Sequence, residues 1–214
     1  MRTDELIDRL SGSLEPVPPS PVLRVLGLGL GAGAVLSAIV MIATIGIRAD
    51  LMDAMGANAF WLKFVYTFVV AALGLVVVDR LARPDAAVGR FALLLGAPFL
   101  VIAALAAREF LPADAATQHA LIMGHSARVC SILIAALALP LFAGLFWALR
   151  QLAPTRLTEA GAAAGLLAGS AAATIYAFHC TESTPTFIAI WYSAGILLTT
   201  LLGAVLGRVL LRWS

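Results

Sequence analysis

Six long apolar runs alternate with short polar segments along the chain, at about 22–47, 60–78, 91–107, 120–149, 160–178 and 185–207. The hydrocarbon core of a bilayer takes about 20 apolar residues per helical crossing, so each run predicts a membrane-spanning helix. The connections between runs are short, and short connections join antiparallel neighbours. The pattern therefore predicts an all-α membrane protein whose six transmembrane helices, in residues 22–214, form three consecutive hairpins.

Residues 1–21 have a different pattern. Thr3 is placed as a helix N-cap, with Asp4 and Glu5 in the first turn, where acids favour the helix dipole. Leu6, Ile7, Leu10 and Leu14 then recur at helical spacing and make one apolar stripe. Gly12 weakens this helix, and Pro16, Pro18, Pro19 and Pro21 end it in a stiff spacer. A helix that lies on anionic lipid is basic, whereas acids outnumber bases here (Asp4, Glu5, Asp8 and Glu15 against Arg2 and Arg9). The stripe is thus expected to dock into a groove on a soluble partner, with Leu6, Ile7, Leu10 and Leu14 as anchors and Asp4, Glu5 and Asp8 as an acidic rim. A frayed terminus is the plainer alternative.

Composition agrees with the membrane reading. Of the 214 residues, 62% are hydrophobic and 12% charged, against about half and a quarter in soluble domains. The spans consume most of the chain and leave no room for a soluble catalytic domain. If the N-terminus is cytoplasmic, ten of the 14 basic residues fall on the inner side. Only Arg48, Lys63, Arg108 and Arg128 then fall on the outer side. That asymmetry follows the positive-inside rule with both termini in the cytoplasm. Acidic residues are absent from mid-membrane positions, which disfavours ion-coupled transport. Lys63 and Arg128 are the charges that intrude, each near an outer span end, where it is expected to snorkel to the interface. Glycines four apart, at 29 and 33 and at 161, 165 and 169, suit close helix packing in lipid. Pro98 and Pro140 are expected to kink their spans or to lie near their ends.

The remaining chemistry gathers on one side. All three histidines (His119, His125, His179) and both cysteines (Cys130, Cys180) map to the outer half. His179, Cys180 and Glu182 lie within four residues in a polar island between the last two spans. The fourth and fifth spans form a hairpin turning near Pro154 and Thr155; Cys130 lies 25 residues before Thr155 and Cys180 lies 25 after it. In a symmetric hairpin the two thiols stand at one height. Facing cysteines on packed helices can bridge if both rotate inward. Three readings stay open: a structural disulfide, a redox- or metal-responsive thiol pair, and two unrelated buried thiols. In the second, a transition or heavy metal ion would use Cys130 and Cys180, with His179 and His125 as further ligands. No CxxC or HExxH spacing occurs, so neither an oxidoreductase nor a zinc hydrolase is indicated. His119 reads as solvated. Glu182 is either a turn residue or the cap of the last helix.

With these residues identified, the chain resembles the six-span bacterial membrane anti-sigma factors of the NrsF type, the negative regulators of SigF. The matching features are Met1-Arg2-Thr3-Asp4-Glu5-Leu6-Ile7, the paired Cys130 and Cys180, His179-Cys180-x-Glu182, Trp191-Tyr192, and Leu211-Arg212-Trp213. Many relatives have proline directly after the second cysteine, where this chain has Thr181. The resemblance implies a non-enzymatic protein of the bacterial inner membrane that holds an extracytoplasmic-function sigma factor inactive, without itself touching nucleic acid. It also implies that Cys130 and Cys180 are needed to release that factor under heavy-metal or oxidant stress. The rival from another class is a small multi-span transporter or lipid-handling protein with a structural Cys130–Cys180 disulfide.

Overall fold

In the computed structural model, residues 21–83 and 89–212 are described, together with the single positions Thr3, Glu5 and Gly12. All regular structure among them is helical. Thr3, Glu5 and Gly12 are helical and exposed. The expected tail contacts Asp4, Leu6, Ile7, Asp8, Leu10 and Leu14 lie outside the described residues.

The long helices follow the apolar runs. They are α1 (Pro21–Thr44), α3 (Asn58–Leu81), α4 (Gly89–Phe110), α6 (Ala127–Leu152) and α7 (Leu157–Tyr176). Two short helices, α2 (Leu51–Met55) and α5 (Ala115–Met123), interrupt the connections at one end of the bundle. The last run is broken into α8 (Pro185–Phe187), a π-helical turn (Ile188–Tyr192) and α9 (Ser193–Leu210). Four segments are long and apolar enough to cross a membrane: Val22–Thr44, Asn58–Leu81, Ala115–Leu152 and Pro185–Leu210. The other two expected spans, at 91–107 and 160–178, are occupied by α4 and by α7 with its C-terminal turn. Helix α4 carries Arg90, Arg108 and Glu109 at its ends, and α7 is mostly alanine and glycine, so each is less apolar than its neighbours. Pro98 and Pro140 both lie inside their helices.

Helix α7 is the hub of the bundle, packed against α9, α3, α6 and α1. Its composition explains why. Twelve of its 20 residues are buried, and most are alanine or glycine. Small side chains let backbones approach closely where no hydrophobic effect drives association in lipid. A Cβ at Gly161 or Gly203 would overlap the other's carbonyl oxygen, and one at Gly165 would overlap the Thr199 carbonyl. A second pair of helices, α1 and α6, meets in the same way at Gly29 and Gly144. Gly161→Leu is therefore expected to destabilise the α7–α9 pair by about 3 kcal/mol, the upper part of the usual overpacking range. A lower unfolding temperature in detergent checks this; an unchanged one would mean that the helices do not pack this closely.

The connections sort to two ends. The turn 153–156, where Ala153 adopts a left-handed conformation (φ 55°), sits at the end where Arg208 of α9 donates to Thr158 of α7 (2.9 Å). The connections 45–50, 111–126 and 177–184 gather at the opposite end. Both thiols are found there.

Candidate functional site

The site is the connection 177–184, and its anchors come from nearly every element around it. Phe178 enters first, edge-on to Phe60 and Phe64 of α3. Its carbonyl accepts the Arg48 N–H at 3.1 Å. His179 turns its Nδ1 to the Gly46 carbonyl (2.9 Å) and lays its ring against Tyr176. The Cys180 carbonyl accepts from Lys63 Nζ at 2.7 Å and from Arg48 Nη1 at 3.2 Å. Lys63 Nζ also donates to the Glu182 carbonyl at 2.8 Å. Thr184 caps α8 through the Phe187 N–H, and Glu109 of α4 accepts from the Thr186 N–H and hydroxyl. Few loop carbonyls inside a bundle end can reach water, so each needs such a partner.

Lys63 does not snorkel. Its side chain is 0% exposed, and its ammonium lies between two loop carbonyls and the face of the Tyr192 ring, 5.8 Å from the ring centroid. The loop consumes two of its three donors, and that gain exceeds what reaching the interface would give. Arg128, by contrast, is exposed as expected. Arg48 pairs with Asp50 at 2.7 Å and holds that carboxyl down to about 2.

The two thiols meet beneath this loop. Cys130 is fully buried in the first turn of α6, and Cys180 is 3% exposed. Both are free, and the two thiols neighbour each other. Ser126, the residue that precedes α6, places its Oγ 3.9 Å from Cys180 Sγ. Cys180 thus faces the positive end of a 26-residue helix. The neighbouring Cys130 thiol holds the Cys180 thiol below the ordinary range; burial opposes this, and the Lys63 ammonium and the Glu182 N–H support it. The Tyr192 hydroxyl lies beside Cys180 without a hydrogen bond of normal geometry. It is the one buried side-chain oxygen or nitrogen without a partner among the described residues.

The histidines do not join the thiols. His125 is 98% exposed, and its backbone N–H donates to Glu182 Oε1 at 2.6 Å, with Nδ1 3.3 Å from the same oxygen. His179 faces Gly46, and His119 is exposed on α5. Among the described residues no three histidines, cysteines or acids converge as a metal site would require. The expected four-ligand arrangement is therefore not assembled, and two sulfurs are what remain for a metal ion. Glu182 is not the helix cap, which is Thr184. It is a clasp. Its carboxylate lies against Gly124, where a Cβ would come within 2.8 Å and where φ is +45°. The positive φ is what favours glycine here.

Sequence reasoning missed Arg48, Tyr192, Ser126 and the true place of Lys63. A lysine within an apolar run was the available signal, since intramembrane charges default to function. Trp191 Nε1 donates to the Ile122 carbonyl and Ser131 Oγ to the Trp191 carbonyl, both at 2.7 Å, which ties the π-helical turn to α5 and α6. The grooves between α3 and α4, and between α1, α3 and α7, are lined by apolar side chains. This does not suit a polar transport path.

A family model described as "Negative regulator of sigma F" (NrsF) matches residues 10–213. The "Anti-sigma-F factor NrsF" of Caulobacter vibrioides (strain NA1000 / CB15N) is 40% identical over 219 residues, covering 100% of both chains. The "Probable anti-sigma-F factor NrsF" of Azospira oryzae is 37% identical over 213 residues, again covering 100% of both. No solved structure matches the chain.

Proposed function

The chain belongs to the NrsF family of negative regulators of sigma F, and from that premise we propose that it is an inner-membrane anti-sigma factor of the extracytoplasmic-function type. The tail at 1–21 holds the sigma factor at the cytoplasmic face, so that polymerase and promoter cannot use it. The six helices cross the membrane with both termini inside, which puts the loop 177–184 and the two thiols outside. A chemical change at Cys130 and Cys180 then releases the factor, either through oxidation to a disulfide or through bridging by a soft metal ion. The family is regulatory, and the chain needs no catalytic step for this role.

The observation that carries the sensor reading is the meeting of a thiol in the first turn of α6 with one in the loop 177–184. Two sulfurs without imidazoles suit oxidation or a thiophilic cation better than a tetrahedral zinc site. The outer compartment of a bacterium is oxidising, so the chemistry is available there. A thiol pair that joins α6 to the connection between α7 and the last helix can bias how those helices pack, provided that its two states favour different packings. Capture of the full chain from native membranes, with identification of the soluble protein that comes with it, tests the anti-sigma role. A sigma factor is the expected companion. Reproducible recovery of no sigma factor would end the reading.

A further inference from the structure

The two sulfurs are chemically unequal, and Lys63 contributes to the inequality after the Cys130 contact itself. Cys180 faces the first turn of α6, beside Cys130, and its own carbonyl is one of the two that Lys63 holds. Cys130 lies within the first turn of α6 and is fully buried. The geometry points to Cys180 as the attacking thiol and Cys130 as the resolving thiol of the pair, with Lys63 as a positioning residue that supports this order through the loop carbonyls it holds. The assignment deepens the sensor reading above and rests on it for its physiological meaning.

Charged and titratable groups face Cys180 from several neighbouring elements. Lys63 comes from α3, Arg48 from the connection before α2, Cys130 from α6, Tyr176 from α7 and Tyr192 from the π-helical turn. The acids nearby are committed elsewhere: Asp50 to Arg48, Glu182 to His125, and Glu109 to Thr186. Two cations thus face Cys180, and the carboxylates point away from it. Lys63 is the closer influence because its ammonium is desolvated, where a charge acts most strongly. A lysine that only filled space would not need both the Cys180 and the Glu182 carbonyls.

With a hydroperoxide as oxidant the order of events follows. The Cys180 thiolate attacks one peroxide oxygen; an S–O bond forms, the O–O bond breaks, and the departing alkoxide takes a proton from water. The Cys130 sulfur then loses its proton and attacks the sulfenic sulfur of Cys180. The S–S bond forms, the S–O bond breaks, and hydroxide leaves as water with that proton. Two electrons pass from the two thiols to the peroxide. The resolving thiol needs no activation of its own, only contact.

The test is the pH profile of iodoacetamide alkylation, measured on the full chain in detergent with one cysteine present at a time. In Cys130→Ser, whose new hydroxyl can donate to Cys180, the remaining thiol is expected to react at a midpoint below the ordinary value of about 8.5. In Cys180→Ser, Cys130 is expected to react at least about tenfold more slowly at pH 7. Adding Lys63→Met to Cys130→Ser should move the midpoint upward by about one pH unit, and Lys63→Arg should keep most of the original profile. Equal reactivity of the two thiols, or a profile unmoved by Lys63→Met, would overturn the assignment. Should Lys63→Met fail to insert, the single-cysteine comparison and Lys63→Arg still decide it. An asymmetry found alongside an unaltered stress response would leave this assignment standing and remove only the sensor reading.

Discussion

Removing residues 1–20 is expected to abolish capture of the sigma factor while leaving the helical bundle inserted. The stripe Leu6, Ile7, Leu10 and Leu14 contains four aliphatic anchors, each worth about 1.5–3 kcal/mol when fully buried. Ordering a tail on its partner costs part of this. Even if half survives, the loss exceeds 100-fold in affinity, since about 1.4 kcal/mol is a factor of ten. A charge is more disruptive than a truncation at such a position. Leu6→Asp or Leu10→Asp in the full chain should therefore weaken capture nearly as much as the deletion. Membrane fractionation with co-purification of the sigma factor checks both halves of the expectation. Undiminished capture by the truncated chain would transfer the binding role to the connections at 82–88 and 153–156.

The helices were legible because lipid imposes a strong length rule. Helix occupies most of each expected run, although the run 120–149 is broken at 124–126, and the turn at Pro154 and Thr155 falls where the symmetric hairpin needed it. The same count put Cys130 and Cys180 at one height, and the structure brings them together. What stayed illegible depended on long-range partners. Lys63 looked like a snorkelling residue because sequence shows its distance from a span end, not the carbonyls folded over it. His125 and His179 looked like ligands because sequence shows residue type and proximity along the chain, not direction. Direction is set here by Gly46 and Glu182, which lie 133 and 57 residues from their partners. The π-helical turn at Ile188–Tyr192 left no sequence signal, since its cause is tertiary: Trp191 is pinned to Ile122 and Ser131.

Cys130→Ser and Cys180→Ser are each expected to abolish stress-induced release of the sigma factor while basal capture stays intact. The size of the effect follows from what the switch must do. Moving a two-state equilibrium from about 1% to 99% released takes about 5.5 kcal/mol of bias. A single thiol hydrogen bond, worth about 1 kcal/mol net, falls far short. Two charge-assisted bonds from Lys63 and one from Arg48 to the loop carbonyls, at about 1.5–3 kcal/mol each, reach the required range. In the proposed switch the sulfurs are the trigger and the clamped loop supplies the bias, because the Cys180 carbonyl is itself one of the Lys63 partners. Serine keeps the contact and the packing but forms neither a disulfide nor a strong bond to a soft metal. Each variant should thus leave the resting clamp whole and the response lost, with reporter transcription under oxidant or heavy-metal challenge falling to the unstressed level. A full response in both variants would place the sensing outside this pair of thiols. Loss of basal capture in either would instead make the pair part of the resting lock.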